Sequence, residues 1–128
     1  MKSGKNQSET FSISRRFKSF SFAFKGILFA FKTQHNLWIH FPAIILVVIA
    51  GFIFRISPVE WLFILCATGM VLVAELFNTA VESLVDFISA EYSEKAGIIK
   101  DLAAGAVLVA AVISVIIAII IFLPKILY

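Results

Sequence analysis

The sequence predicts an all-α integral membrane protein: an N-terminal amphipathic surface helix followed by three transmembrane helices. Three observations carry this reading. The 128 residues are 61% hydrophobic and 15% charged, with a mean hydropathy of +1.02, whereas a soluble domain carries about 45–50% apolar and about 25% charged residues. The apolar residues are gathered into three stretches, each able to cross a bilayer, which takes about 20 apolar residues. The Lys and Arg residues fall almost entirely on one side of those stretches. Such a chain is long enough for one domain, and a water-soluble fold, a disordered chain or a nucleic-acid-binding tail each calls for more polar or more charged sequence.

Residues 1–13 read as a polar tail. From residue 14 to about 34 a helical period appears: Phe17, Phe20, Phe24, Ile27, Leu28 and Phe31 recur at steps of three and four, the signature of one apolar helix face. Arg15, Arg16, Lys18 and Lys25 stand mostly at other angles. A basic, phenylalanine-rich helix suits a membrane interface. Phe22 and Phe29 fall off the main stripe, which leaves open an ordinary helix packed partly on its neighbours. The segment is not a secretory signal, because it lacks an uninterrupted apolar core followed by a small-residue cleavage site.

The three spans follow at about 37–54, 61–88 and 102–123. The first is interrupted by His40 and closed by Arg55, and the third is 22 residues without a charge. In hydrocarbon each must be helical, because every backbone polar group has to be satisfied within the segment. With the N-terminus inside, the inner segments hold nine Lys and Arg residues and the outer segments two, Arg55 and Lys125. That asymmetry predicts a cytoplasmic N-terminus. Pro58 suits the first turn of the second span. Residues 89–101 form the only sizeable polar segment between spans.

Ionisable residues inside a span are costly, and are functional candidates for that reason. The second span carries Glu75, Glu82 and Asp86, with Asn78 and Thr79 between them. At the helical period, Glu75, Asn78, Glu82 and Asp86 fall within roughly 80° of arc. Three carboxylates and an amide thus share one stripe running toward the inner surface, where Lys100 and Asp101 open the third span. An acidic stripe meeting a lysine there points to a metal and a phosphate-bearing ligand; the bland alternative is helix-to-helix hydrogen bonding and capping. Cys66 is the single cysteine, so no intrachain disulfide forms. His35 and His40 are five apart, which is not a one-face spacing for a metal pair. No phosphate-binding loop, dinucleotide fingerprint or nucleophile elbow is present.

The run Glu75-Leu76-Phe77-Asn78-Thr79-Ala80-Val81-Glu82-Ser83-Leu84-Val85-Asp86 resembles the signature of the prokaryotic diacylglycerol kinase family of membrane lipid kinases. Glu91-Tyr92 and Lys100-Asp101-Leu102-Ala103-Ala104-Gly105-Ala106-Val107 agree with it, as do the spacing, the three spans and the N-terminal helix. The resemblance implies a homotrimer, Mg²⁺ with ATP as co-substrate, and a membrane lipid hydroxyl as acceptor, in the inner or plasma membrane of a prokaryote. It implies Glu75 as the general base, Glu82 as a metal ligand with Asn78 and Asp86 positioning groups beside it, and Arg15, Glu91, Tyr92, Lys100 and Asp101 around the nucleotide. The family commonly has an acidic residue sharing the metal at the end of the N-terminal helix. Here Gln34 stands in that place, offering a carbonyl oxygen without a charge. The wording of Asn78-Thr79-Ala80, and of Asn36-Leu37-Trp38-Ile39-His40 before the first span, is similar to the undecaprenol kinase branch. Diacylglycerol remains the alternative acceptor, and a non-catalytic scaffold or channel the distant one.

Overall fold

The computed structural model describes residues 12–128 as four helices: α1 (Ile13–Thr33), α2 (His35–Ile53), α3 (Pro58–Ile88) and α4 (Glu94–Leu127). The architecture is all-α, and α2, α3 and α4 are each long and apolar enough to cross a membrane. The N-terminal tail expected over residues 1–13 lies outside the described residues apart from its last two.

The longest contact is between α3 and α4, which run antiparallel. Glu60 of α3 pairs with Lys125 of α4 at 3.1 Å, Ser114 Oγ donates to the Ala67 carbonyl at 3.1 Å, and Asp86 pairs with Lys100 at the far end. Ile56, Ile64 and Ile121 form a buried cluster near the Arg55 turn, with Val47, Trp61, Ile117 and Phe122 packed around it. Gly51 lets α2 approach: a Cβ there would lie 2.6 Å from Trp61 Cη2.

Local chemistry explains the boundaries. α2 ends in a Schellman turn, in which Ile56 N–H donates to the Gly51 carbonyl at 3.1 Å and Arg55 N–H to Phe52 at 3.3 Å. Arg55 takes the left-handed conformation, φ 49°, that glycine adopts with less strain. Ser57 then caps α3 in a reciprocal box: its hydroxyl accepts from Glu60 N–H, and Glu60 Oε2 accepts from Ser57 N–H at 2.7 Å. Two orphan donors of the first turn are satisfied at once. At the other end of the molecule, Gln34 alone separates α1 from α2, ending one helix and preceding the next.

The helices overrun the apolar windows read from the sequence. α4 starts at Glu94, eight residues before the charge-free stretch, because Ser93 Oγ accepts from Ala96 N–H at 3.2 Å and caps it there. The polar connection shrinks to residues 89–93, and Lys100 and Asp101 sit within a helix rather than at its start. Capping, not hydropathy, sets that end. In α1 only Ala30 is buried. Its phenylalanines are exposed both on the main stripe (Phe17, Phe20, Phe24) and off it (Phe22, Phe29).

Candidate active site

The polar stripe of α3 is real in three dimensions, and it faces inward where it begins. Among the described residues, Glu75, Asn78 and Thr79 are the buried polar ones, and Glu75 has no solvent-exposed surface at all. A helix places residues three and four apart on neighbouring positions. Accordingly Asn78 Nδ2 donates to Glu82 Oε1 at 3.2 Å. Thr79 turns its hydroxyl back to the Glu75 carbonyl at 2.8 Å, and Ser83 does the same to Thr79.

Two residues from the α1–α2 side complete the cluster. Gln34, held at the interhelical junction, donates through Nε2 to Glu82 Oε2 at 3.2 Å. Each oxygen of Glu82 therefore meets one side-chain amide. His40, a turn and a half into α2, brings Nε2 to 3.0 Å from Glu75 Oε1. This is a close contact without hydrogen-bond alignment, and neither oxygen of Glu75 has an aligned donor; the Asn78 Oδ1 is likewise buried without a partner. A buried carboxylate and a buried amide oxygen left open in this way are costly, and such groups call for an explanation.

One turn farther along, Lys100 Nζ and Asp86 form an ion pair between α4 and α3. The pair is partly open, with 38% of Lys100 and 66% of Asp86 exposed. The remaining nucleotide candidates are exposed. Arg15, Glu91, Tyr92 and Asp101 lie on the surface, and among the described residues no hydrogen bond or ion pair joins their side chains to the Glu75–Glu82 group. Tyr92 leans toward the first turn of α4, its hydroxyl 3.7 Å from where a Cβ on Gly97 would stand.

Gln34, Glu75, Asn78 and Glu82 thus come together, Asp86 and Lys100 pair beside them, and His40 joins from outside the sequence reading. The signal for His40 was present: it is an ionisable residue inside a span. Its partner lies on another helix, and no periodicity reveals that. Among the described residues no three His, Cys, Asp or Glu side chains gather as a metal-binding group. Glu82, the open Asn78 Oδ1 and, with its amide turned over, the carbonyl of Gln34 nevertheless offer oxygens that fit a hard cation of the Mg²⁺ type, which usually takes one or two carboxylates and draws its other ligands from water and phosphate.

Two apolar cavities flank the cluster. A cleft of about 440 Å³ lies between α1 and α3, lined by Gly26, Ala30, Leu76, Thr79 and Ser83 among others. A slot of about 240 Å³ runs between α2, α3 and α4 and includes His40 in its wall.

The family model described as prokaryotic diacylglycerol kinase matches residues 21–122. The undecaprenol kinase of Bacillus subtilis (strain 168) is 44% identical over 113 residues, 88% of this chain and 92% of that protein. A diacylglycerol kinase of Synechocystis sp. is 38% identical over 85% of this chain and 63% of its own length. The diacylglycerol kinase of Escherichia coli (strain K12) is 27% identical over 84% of this chain and 88% of its own. With a family match over residues 21–122 and three apolar helices long enough to cross a membrane, the chain belongs to the prokaryotic diacylglycerol kinase family.

Proposed function

We propose that the protein is a membrane lipid kinase that transfers the γ-phosphoryl group of ATP to undecaprenol, yielding undecaprenyl phosphate. The observation that carries this reading is the wholly buried Glu75, one helical turn from the Asn78–Glu82–Gln34 group. Undecaprenol is favoured over diacylglycerol because the 44% identical relative over most of both chains is an undecaprenol kinase.

Phosphoryl transfer asks for three things: charge on the phosphates, in-line positioning and a base at the nucleophile. Glu75 takes the proton of the lipid hydroxyl as the oxygen bonds to the γ-phosphorus and the bond to ADP breaks. A base must reach within about 2.6–3.2 Å of the proton's donor atom, so the hydroxyl enters beside α3. The apolar cleft between α1 and α3 gives its chain a path. Glu82 and the carbonyl of Gln34, its amide turned over, would hold Mg²⁺, with Asn78 steadying the Glu82 carboxylate. Mg²⁺ supplies the positive charge that neutralises the phosphate oxygens. Lys100, held by Asp86, meets the phosphates, and Arg15, Glu91, Tyr92 and Asp101 border the nucleotide.

In this reading α1 lies in the membrane interface, the N-terminus faces the cytoplasm where ATP is, and three copies assemble as a homotrimer. Exposed phenylalanines along α1 support the first point, because apolar side chains on a basic helix insert at the headgroup boundary. The test is ATP- and Mg²⁺-dependent phosphorylation of undecaprenol and diacylglycerol by the protein purified in mild detergent, beside Glu75→Gln. The expected result is faster turnover on undecaprenol and a loss of about 10²–10⁴-fold in Glu75→Gln. Full turnover in that variant removes the base assignment, and preference for diacylglycerol reverses the acceptor.

A further inference from the structure

Glu75 is completely enclosed, yet neither of its oxygens receives an aligned hydrogen bond. The polar groups next to it on α3 are committed elsewhere. Thr79 Oγ1 bonds the Glu75 backbone carbonyl, and the Asn78 amide goes to Glu82. The side chain that does reach the carboxylate comes from another helix: His40 Nε2, 3.0 Å from Oε1. Behind His40 the slot between α2, α3 and α4 is lined by Ala43, Ile44, Val47, Val71 and other residues, with Thr68 and Ser114 its other polar side chains and no other titratable one. Both of those hydroxyls donate to backbone carbonyls, Thr68 to Ile64 and Ser114 to Ala110, each at 2.8 Å.

The terminal torsion of a glutamate is broad, so burial alone does not aim its oxygens. A catalytic base misplaced by about 1 Å can cost on the order of 10²-fold in rate. We propose that His40 is the positioning residue for Glu75: its Nε2–H holds Oε1 and leaves Oε2 turned to the lipid hydroxyl. This rests on the reading of Glu75 as the base. A small rotation of the ring converts the observed contact into an aligned hydrogen bond, and the tertiary fold rather than the local sequence supplies the partner.

The test uses the full chain in detergent micelles with His40→Leu and His40→Gln, each made also in the Glu75→Gln background. Leucine keeps bulk and removes the donor, whereas the glutamine amide nitrogen occupies nearly the place of Nε2. In His40→Leu, kcat falls about 10²-fold while KM for ATP and lipid changes by less than about threefold, the pattern of an interaction made in the transition state. His40→Gln recovers most of that rate. Thermal unfolding gives an independent reading, since contacting residues are non-additive. His40→Leu lowers Tm when Glu75 is present and has little effect in Glu75→Gln. Wild-type kcat in His40→Leu, equal loss in the Leu and Gln variants, or equal loss of Tm in both backgrounds would each overturn the proposal. A wild type without lipid phosphorylation would instead sink the kinase reading, and the unfolding cycle would still decide whether the two residues are coupled.

Discussion

Placing a charge at Gln34 separates the metal from the fold. Gln34 Nε2 stands 3.2 Å from Glu82 Oε2, so Gln34→Glu sets two carboxylates against each other at that distance. At an effective dielectric constant of about 20 the repulsion is about 5 kcal/mol. The side chains are partly solvated and can swing apart, which relieves most of it. A net destabilisation of roughly 1–3 kcal/mol without divalent cation is the expected outcome. A bound cation reverses the sign, because it is attracted by the same two charges; at 100 times its Kd it returns about 2.7 kcal/mol. The variant should therefore melt below the wild type in chelator, recover in Mg²⁺, and reach half-maximal turnover at a Mg²⁺ concentration about tenfold lower. The assay is thermal unfolding with and without Mg²⁺, together with a Mg²⁺ titration of lipid phosphorylation. An unchanged Mg²⁺ midpoint with a lasting loss of stability would remove Gln34 and Glu82 from the metal site.

Two further outcomes test other parts of the structure. Gly51→Ala drives a methyl group to 2.6 Å from Trp61 Cη2 and 2.8 Å from Cζ2; since overpacking costs about 1–3 kcal/mol, Tm should fall while the KM values stay put, and an unchanged Tm would show that α2 is free to withdraw. Lys100→Met breaks a pair whose members are both more than one third exposed, and such pairs contribute about 0–1 kcal/mol. Its Tm should hardly move while KM for ATP rises about tenfold or more, and an unaltered KM would take Lys100 out of the nucleotide site.

Much of the candidate site was legible along α3 because a helix is a one-dimensional code. Glu75, Asn78, Glu82 and Asp86 share a face by their spacing alone, and the Asn78–Glu82 bond is the four-residue contact that spacing predicts. The start of α3 could be read as well: Pro58 at the first position matches the observed helix. The start of α4 could not be read from hydropathy, because Ser93 and Glu94 are polar residues whose role is to end backbone exposure rather than to meet lipid. In the sequence His40 interrupts an apolar run and closes the Asn36–His40 stretch, and neither feature points to Glu75 as its partner.

What composition and periodicity determined by themselves is the membrane class, the three long apolar helices and the polar stripe, since transfer to lipid and the helical repeat depend on residue type and spacing. Tertiary structure decided which groups meet across helices: Gln34 with Glu82, His40 with Glu75, Lys100 with Asp86. Each pair joins residues from different elements, and their approach depends on how α1, α2 and α4 pack on α3. The helical repeat orders one helix at a time, and only the packed fold brings a second helix within hydrogen-bonding distance.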